Sequence, residues 1–286
     1  MNEQERKEFV NKLAGSRHFR FGTQNPTLME EPFWKYMICN PQLTGYNARK
    51  DSQHQLDFHK PVWCFARFGA TQTYLPDGRL VCIGGEHEDS YDPDFQIYND
   101  VVVIERPRVV KGHSFCAPPI PSNFPVAKNY QNDKFNEEML GTSNDKHVTI
   151  YGYPLNVFPP TDFHTATYVL MDGKEYIYII GGTGCSCEGF HKPESCSTDY
   201  HLNNTRVFRL CVSDFSIERV ETTGNIPRGC TYTHSATLSL TVFGRPVIDI
   251  EVSPEVIMRC SSPGWENHNR IYRLEIETGV WTIFKQ

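Results

Sequence analysis

The densest set of side chains able to do chemistry in this 286-residue sequence is GCSCEGFHKPESCSTDYH, which places Cys185, Cys187, His191, Cys196 and His201 within 17 residues. Zinc takes four thiolate or imidazole ligands in a tetrahedron, so a loop anchored on two strands could fold around one ion. The Cys-x-Cys spacing differs from the Cys-x2-Cys knuckle of zinc fingers, and no second pair of that kind follows. A cysteine-rich surface loop without metal and a local disulfide from Cys187 to Cys196 are the competing readings. The second set is EHEDSYDPDF, where Glu86, Glu88, Asp89, Asp92 and Asp94 surround His87. Crowded like charges are relieved by a cation, so this stretch points to a basic partner surface or to calcium, although its spacing is not that of an EF-hand.

Two histidines recur beside small hydroxyl or alanine residues, His164 in FHTATY and His234 in THSATL, 70 positions apart. A histidine beside Ser or Thr can act as a general base, but recurrence at one repeat position argues that the imidazole serves the scaffold by bonding a neighbouring backbone or a neighbouring unit. No GxSxG elbow, phosphate-binding glycine loop or HExxH helix is present.

These residues must be held by a repeated element. TATYVLMDGKEYIYIIGG (165–182) is two apolar runs around an Asp-Gly turn, closed by Gly181 and Gly182, and ATQTYLPDGRLVCIGGE (70–86) repeats the phrase with Gly84 and Gly85. Asp-Gly between alternating apolar residues is a hairpin signal. A third copy begins at HSATLSL (234–240), uses TVFGRP as its turn, and has VIDIEV (247–252) where the others carry two glycines. Matching FGATQT, FHTATY and THSATL aligns the first strands. After a variable loop each copy resumes as YNDVVVIE, NTRVFRL or NRIYRLEI, and a fourth strand follows as HVTIYGY, FSIERVE or ETGVWTIF. Four short strands per unit form a small antiparallel sheet that cannot bury both faces alone, so units must stack.

The remainder reads as attachments. Residues 1–16 form a helical appendage with Phe9, Val10 and Leu13 on one stripe, and FWKYMIC (33–39) is expected as a strand. Residues 17–286 form one domain with insertions at 106–146 and 184–203, the first rich in proline. Net charge of −6 and a pI of about 6.0, without a Lys/Arg block, argue against nucleic acid and anionic membrane as partners. The charged start MNEQERKEF is unlike a secretory signal, and no run of apolar residues is long enough to span a bilayer, so the expectation is a cytoplasmic protein with reduced thiols.

The paired glycines Gly84, Gly85, Gly181 and Gly182, the later Tyr98, and Trp281 after Thr278 and Gly279 resemble the kelch repeat of β-propellers. The resemblance covers residues 62–286 and implies an all-β propeller of four-stranded antiparallel blades, with glycines where the backbone needs positive φ and aromatics wedged between sheets. Three repeats are recognisable, so either residues 18–60 contribute a fourth, or the ring is open or shared between copies as a homo-oligomer. Most such propellers present loops to other proteins, which makes a non-catalytic interaction module the expected function. Its binding face would combine the loops after the double glycines with the long insertion. The alternative is a metal-dependent enzyme, since copper-radical oxidases similar to galactose oxidase and some carbohydrate-active enzymes use the fold. A perturbed, convergent polar set at the channel mouth would favour that alternative.

Overall fold

The computed structural model describes residues 14–39, 61–86, 96–105, 147–182, 205–227, 231, 234–252 and 271–285, together with Gln4. The chain is all-β in its described part, built from three sheets whose strands pair antiparallel except for the short edge strand over residues 223–224, which pairs in parallel. The helical appendage expected over 1–16 falls outside these residues apart from Gln4 and Ala14–Ser16, and the latter form a short 3-10 turn.

Each repeat found in the sequence forms one sheet. Sheet I orders β1 (Thr27–Leu28), β5 (Val148–Gly152), β4 (Val101–Ile104), β3 (Leu80–Ile83) and β2 (Thr71–Tyr74). Sheet II runs β6 (Thr165–Met171), β7 (Lys174–Ile180), β8 (Val207–Cys211) and β9 (Ile217–Arg219). Sheet III orders β10 (Thr223–Gly224), β14 (Val280–Lys285), β13 (Ile271–Glu275), β12 (Pro246–Glu251) and β11 (Ser235–Leu240). The first strand of each repeat lies at one edge of its sheet, and these inner strands meet one another, β6 touching both β2 and β11.

The turns follow their chemistry. Asp172 and Gly173 both have positive φ (51° and 73°), as a two-residue hairpin turn matched to strand twist requires. Residues 76–78 and 242–244 instead make three-residue turns that end on a left-handed glycine, Gly78 or Gly244. That difference shifts the first strands by one residue against the expected alignment. Thr71 pairs with Ile83 and Thr165 with Ile180, each isoleucine directly preceding the double glycine, so Thr71 is equivalent to Thr165 rather than to Ala166.

The sheets stack in series through apolar faces. Val81, Ile83, Val101 and Val103 of sheet I pack with Ile177, Ile179, Phe208 and Leu210 of sheet II. The opposite face of sheet II, with Val169, Tyr178 and Ile180, packs on Ile248, Ile250, Leu274 and Trp281 of sheet III. Trp281 is fully buried there, filling the space between sheets as its position in the repeat implies. Tyr98 differs: it packs against Phe19 and Trp63 of the N-terminal layer, with ring centroids 5.2 and 6.4 Å away, and not between two sheets.

Residues 33–39 are not a strand. They lie in helix α1 (Pro32–Cys39), whose Phe33, Trp34, Tyr36, Met37 and Ile38 are buried while Lys35 stays partly exposed. A strand would have put Phe33, Lys35 and Met37 on one face; the observed spacing is that of a helix seated in a deep groove. Pro32 at the first position suits a helix start, and the Ser16 hydroxyl accepts the Phe33 amide at 3.2 Å, a cap supplied from a distant part of the chain. Trp34 stacks on Trp63 at 5.0 Å, and this layer covers the outer face of sheet I. Among the described residues, then, the N-terminal segment adds a helix and one edge strand rather than a fourth sheet. Asn25 fastens it further: its amide donates to the Ile217 carbonyl (2.8 Å) and its carbonyl oxygen accepts the Ile217 amide (2.9 Å), pairing with β9 as a neighbouring strand would.

Candidate functional site

Strand direction gives the two ends of the sheets different characters. The connections from second to third strand, residues 84–100, 181–206 and 252–270, all depart from one end. At the other end the first and second strands join through the tight turns already described. The insertion 106–146 joins β4 to β5 and therefore departs from the tight-turn end, opposite the double-glycine loops. A single face combining both, as expected from the sequence, does not follow from this topology.

At the loop-bearing end one arrangement occurs twice. The second glycine amide of sheet I, Gly85, donates to the Thr161 carbonyl at 2.8 Å, and Gly182 of sheet II donates to the Thr231 carbonyl at 2.8 Å. The first glycine of each pair takes positive φ and lies so close to the same carbonyl that a β-carbon would sit 2.3 Å (Gly84) or 2.1 Å (Gly181) from it. Three residues beyond each threonine stands a histidine. His164 Nε2 shares a hydrogen bond with Thr71 Oγ1 at 2.8 Å, and His234 Nε2 shares one with Thr165 Oγ1 at 2.9 Å. Each histidine thus ties the start of its own sheet to the inner strand of the preceding one, the scaffold role that recurrence implied. Burial lowers His164 to about 3, with the neighbouring His234 adding to the effect, and lowers His234 to about 4. Both imidazoles are neutral near pH 7. Their Nδ1 atoms and the Thr161 hydroxyl are buried without a partner among the described residues.

A second buried group backs the end of sheet I. Arg67 makes a two-pronged ion pair with Asp100, at 2.5 and 3.0 Å, and donates to the carbonyls of Cys64 and Gly84 at 2.8 and 3.0 Å. Trp63 Nε1 donates to the same carboxylate at 2.7 Å, and the guanidinium lies 3.6 Å from the Tyr98 ring centroid. Every charge here has partners, which is what keeps a buried pair from being destabilising.

One feature of this end does not recur at the corresponding positions of the sequence. Glu86, directly after the sheet I glycines, hydrogen-bonds through its carboxyl to Asp162, which is only 1% exposed. Burial first, and then the charge and hydrogen bond of Asp162, push Glu86 up to about 8. Two carboxyls in contact cannot both ionise freely, so they hold one proton between them near neutral pH. The corresponding positions at the next junction are Thr183 and Tyr232, neither of them acidic.

Of the residues singled out for partner binding, Glu86 is therefore half-buried against Asp162, while His87, Glu88, Asp89, Asp92 and Asp94 lie outside the described residues. So do all five candidate zinc ligands, Cys185, Cys187, His191, Cys196 and His201. Among the described residues no three His, Cys, Asp or Glu side chains converge as a metal site. Asp162 was not among the candidates. Its signal was present in the sequence: TDFH (161–164) and TYTH (231–234) share the frame Thr-x-x-His, and the acid is the departure inside it. No helix among the described residues is long and apolar enough to cross a membrane. Compared with known proteins, the chain matches no family model and no curated protein.

Proposed function

We propose that the chain is a kelch-type propeller protein of few blades that binds another protein through its double-glycine loops. The observation that supports this reading is the segregation of connections. Three long connections of unlike sequence leave one end of a repeated, well-packed scaffold, while at the other end the first hairpins are tight and one long connection, 106–146, departs. Repeat proteins place variable loops on the face that recognises partners, because the scaffold holds them without depending on their sequence. The repeated glycine, threonine and histidine contacts are the scaffold that would hold these loops in place.

The first loop supplies the chemistry of the partner. Glu88, Asp89, Asp92 and Asp94 form an acidic stretch suited to a basic surface. The chain would work in the cytoplasm, in keeping with Cys64, Cys82 and Cys211, which are thiols. The test is affinity capture from cell extract, comparing the wild type with the variant Glu88→Gln, Asp89→Asn, Asp92→Asn, Asp94→Asn. A partner lost from the variant, and lost from the wild type as salt rises, supports the reading; identical capture by both proteins overturns it.

The enzyme reading has one specific observation in its favour, the carboxyl pair. A carboxyl that stays protonated near pH 7 can act as a general acid. That reading requires a substrate within reach of Glu86, and turnover abolished by Glu86→Gln would move it ahead of protein binding.

A further inference from the structure

The carboxyl pair does something for the fold that is separate from partner binding. Both of its backbones are fixed. On one side Glu86 pairs with Phe68, its amide donating at 2.8 Å and its carbonyl accepting at 3.0 Å, and Gly85 accepts the Tyr98 amide at 2.9 Å. On the other side Asp162 is pinned at both neighbours. The Thr161 carbonyl accepts Gly85 N–H and the Phe163 amide donates to the Gly69 carbonyl, each at 2.8 Å. The side chains thus extend from neighbouring backbones that are held by main-chain contacts crossing from sheet I to the lead into sheet II.

We propose that the Glu86–Asp162 pair is a proton-held clasp on the junction of sheets I and II: one shared proton joins the carboxyls, and its loss sets two like charges against each other and loosens the loop-bearing end of that junction. The titratable and charged groups around it among the described residues are few. Asp162 faces Glu86 from the lead into sheet II, and neutral His164 stands two residues further on. Behind Gly84 lies the Arg67–Asp100 pair, whose charges are already matched to each other. Of these, Asp162 is the group that acts on Glu86. The second junction carries threonine and tyrosine at the corresponding sequence positions, 183 and 232, and serves as the internal comparison.

The sign of the effect follows from where the proton is held. Folded Glu86 keeps its proton up to about pH 8, whereas an unfolded chain releases it near 4.5, so the clasp stabilises at low pH and its contribution is lost as pH rises through that window. The experiment is urea unfolding of the full chain at several values from pH 6.5 to 9, for the wild type and Glu86→Gln. The unfolding constant of the wild type should rise relative to the variant by up to about tenfold per pH unit until near pH 8, then level off. Parallel profiles for the two proteins would overturn the proposal. Carboxyl carbon NMR of the wild type provides a reading that needs no variant. A carboxyl of the pair titrating near pH 8, and shifted down by a unit or more in Asp162→Asn, supports the clasp; both carboxyls titrating below pH 5 overturns it.

Discussion

The two sheet junctions share one set of parts and differ in two. At both, a glycine amide meets a threonine carbonyl, a preceding glycine leaves room for that carbonyl, and a histidine bonds a threonine on the inner strand before it. Deeper in the second junction, Thr205 and Thr231 satisfy each other at 2.6 Å. The first has Asn99 at the place of Thr205, its amide donating to the Tyr153 and Phe158 carbonyls, and adds the Glu86–Asp162 pair above it. What recurs is scaffold. What departs from the repeat, at a cost in desolvation, is where function or regulation is to be sought.

The comparison breaks most severely at the glycines. Gly181→Ala and Gly84→Ala each place a β-carbon within 2.1 or 2.3 Å of a backbone carbonyl at positive φ, and each should lower stability by about 3 kcal/mol or more in urea unfolding. If one variant were near-neutral, the two junctions would not be equivalent. The histidines come next. His164→Ala and His234→Ala each remove a buried side chain and strand a threonine hydroxyl, for an expected loss of about 2 to 3 kcal/mol. Equal losses would sharpen the equivalence, and a small effect at either would break it.

The pH dependence separates the shared parts from the added one. The histidines are neutral when folded down to about 3 and 4 but titrate near 6.5 when unfolded, so their contribution is present above 6.5 and lost as pH falls. Glu86 acts in the opposite sense between 4.5 and about 8. Two protons against one give a stability that climbs towards pH 6.5 and declines above it, by at most about 1.4 kcal/mol per pH unit and less after solvent screening of a half-exposed carboxyl. Thermal scans from pH 4 to 9 should show that maximum, with Glu86→Gln removing the decline alone. The smallest effect belongs to the tight-turn end: Phe243 is 86% exposed, and Phe243→Ser should change stability by no more than about 0.5 kcal/mol.

Much of this was legible in the sequence because the repeat writes it more than once. The hairpins, the glycine pairs and the scaffold role of His164 and His234 all follow from matched copies. Helix α1 was not legible, since a short aromatic run fits a buried helix as well as a strand, and its cap comes from Ser16, outside the run itself. The one-residue frame shift was hidden because turn length changes the pairing without changing the spacing from Phe68 to Gly78 or from Phe163 to Gly173. Glu86 stood out for its charge, but its environment could not be read, because Asp162 is remote in sequence and meets it only when the two sheets stack.

The most direct measurement is amide hydrogen exchange at Gly85 and Gly182, which make the same 2.8 Å bond at the two junctions. With intrinsic base catalysis divided out, protection at Gly85 should fall relative to Gly182 by up to about tenfold per unit between pH 6 and 8. A constant ratio across that range would contradict the clasp and with it the distinction drawn between the junctions.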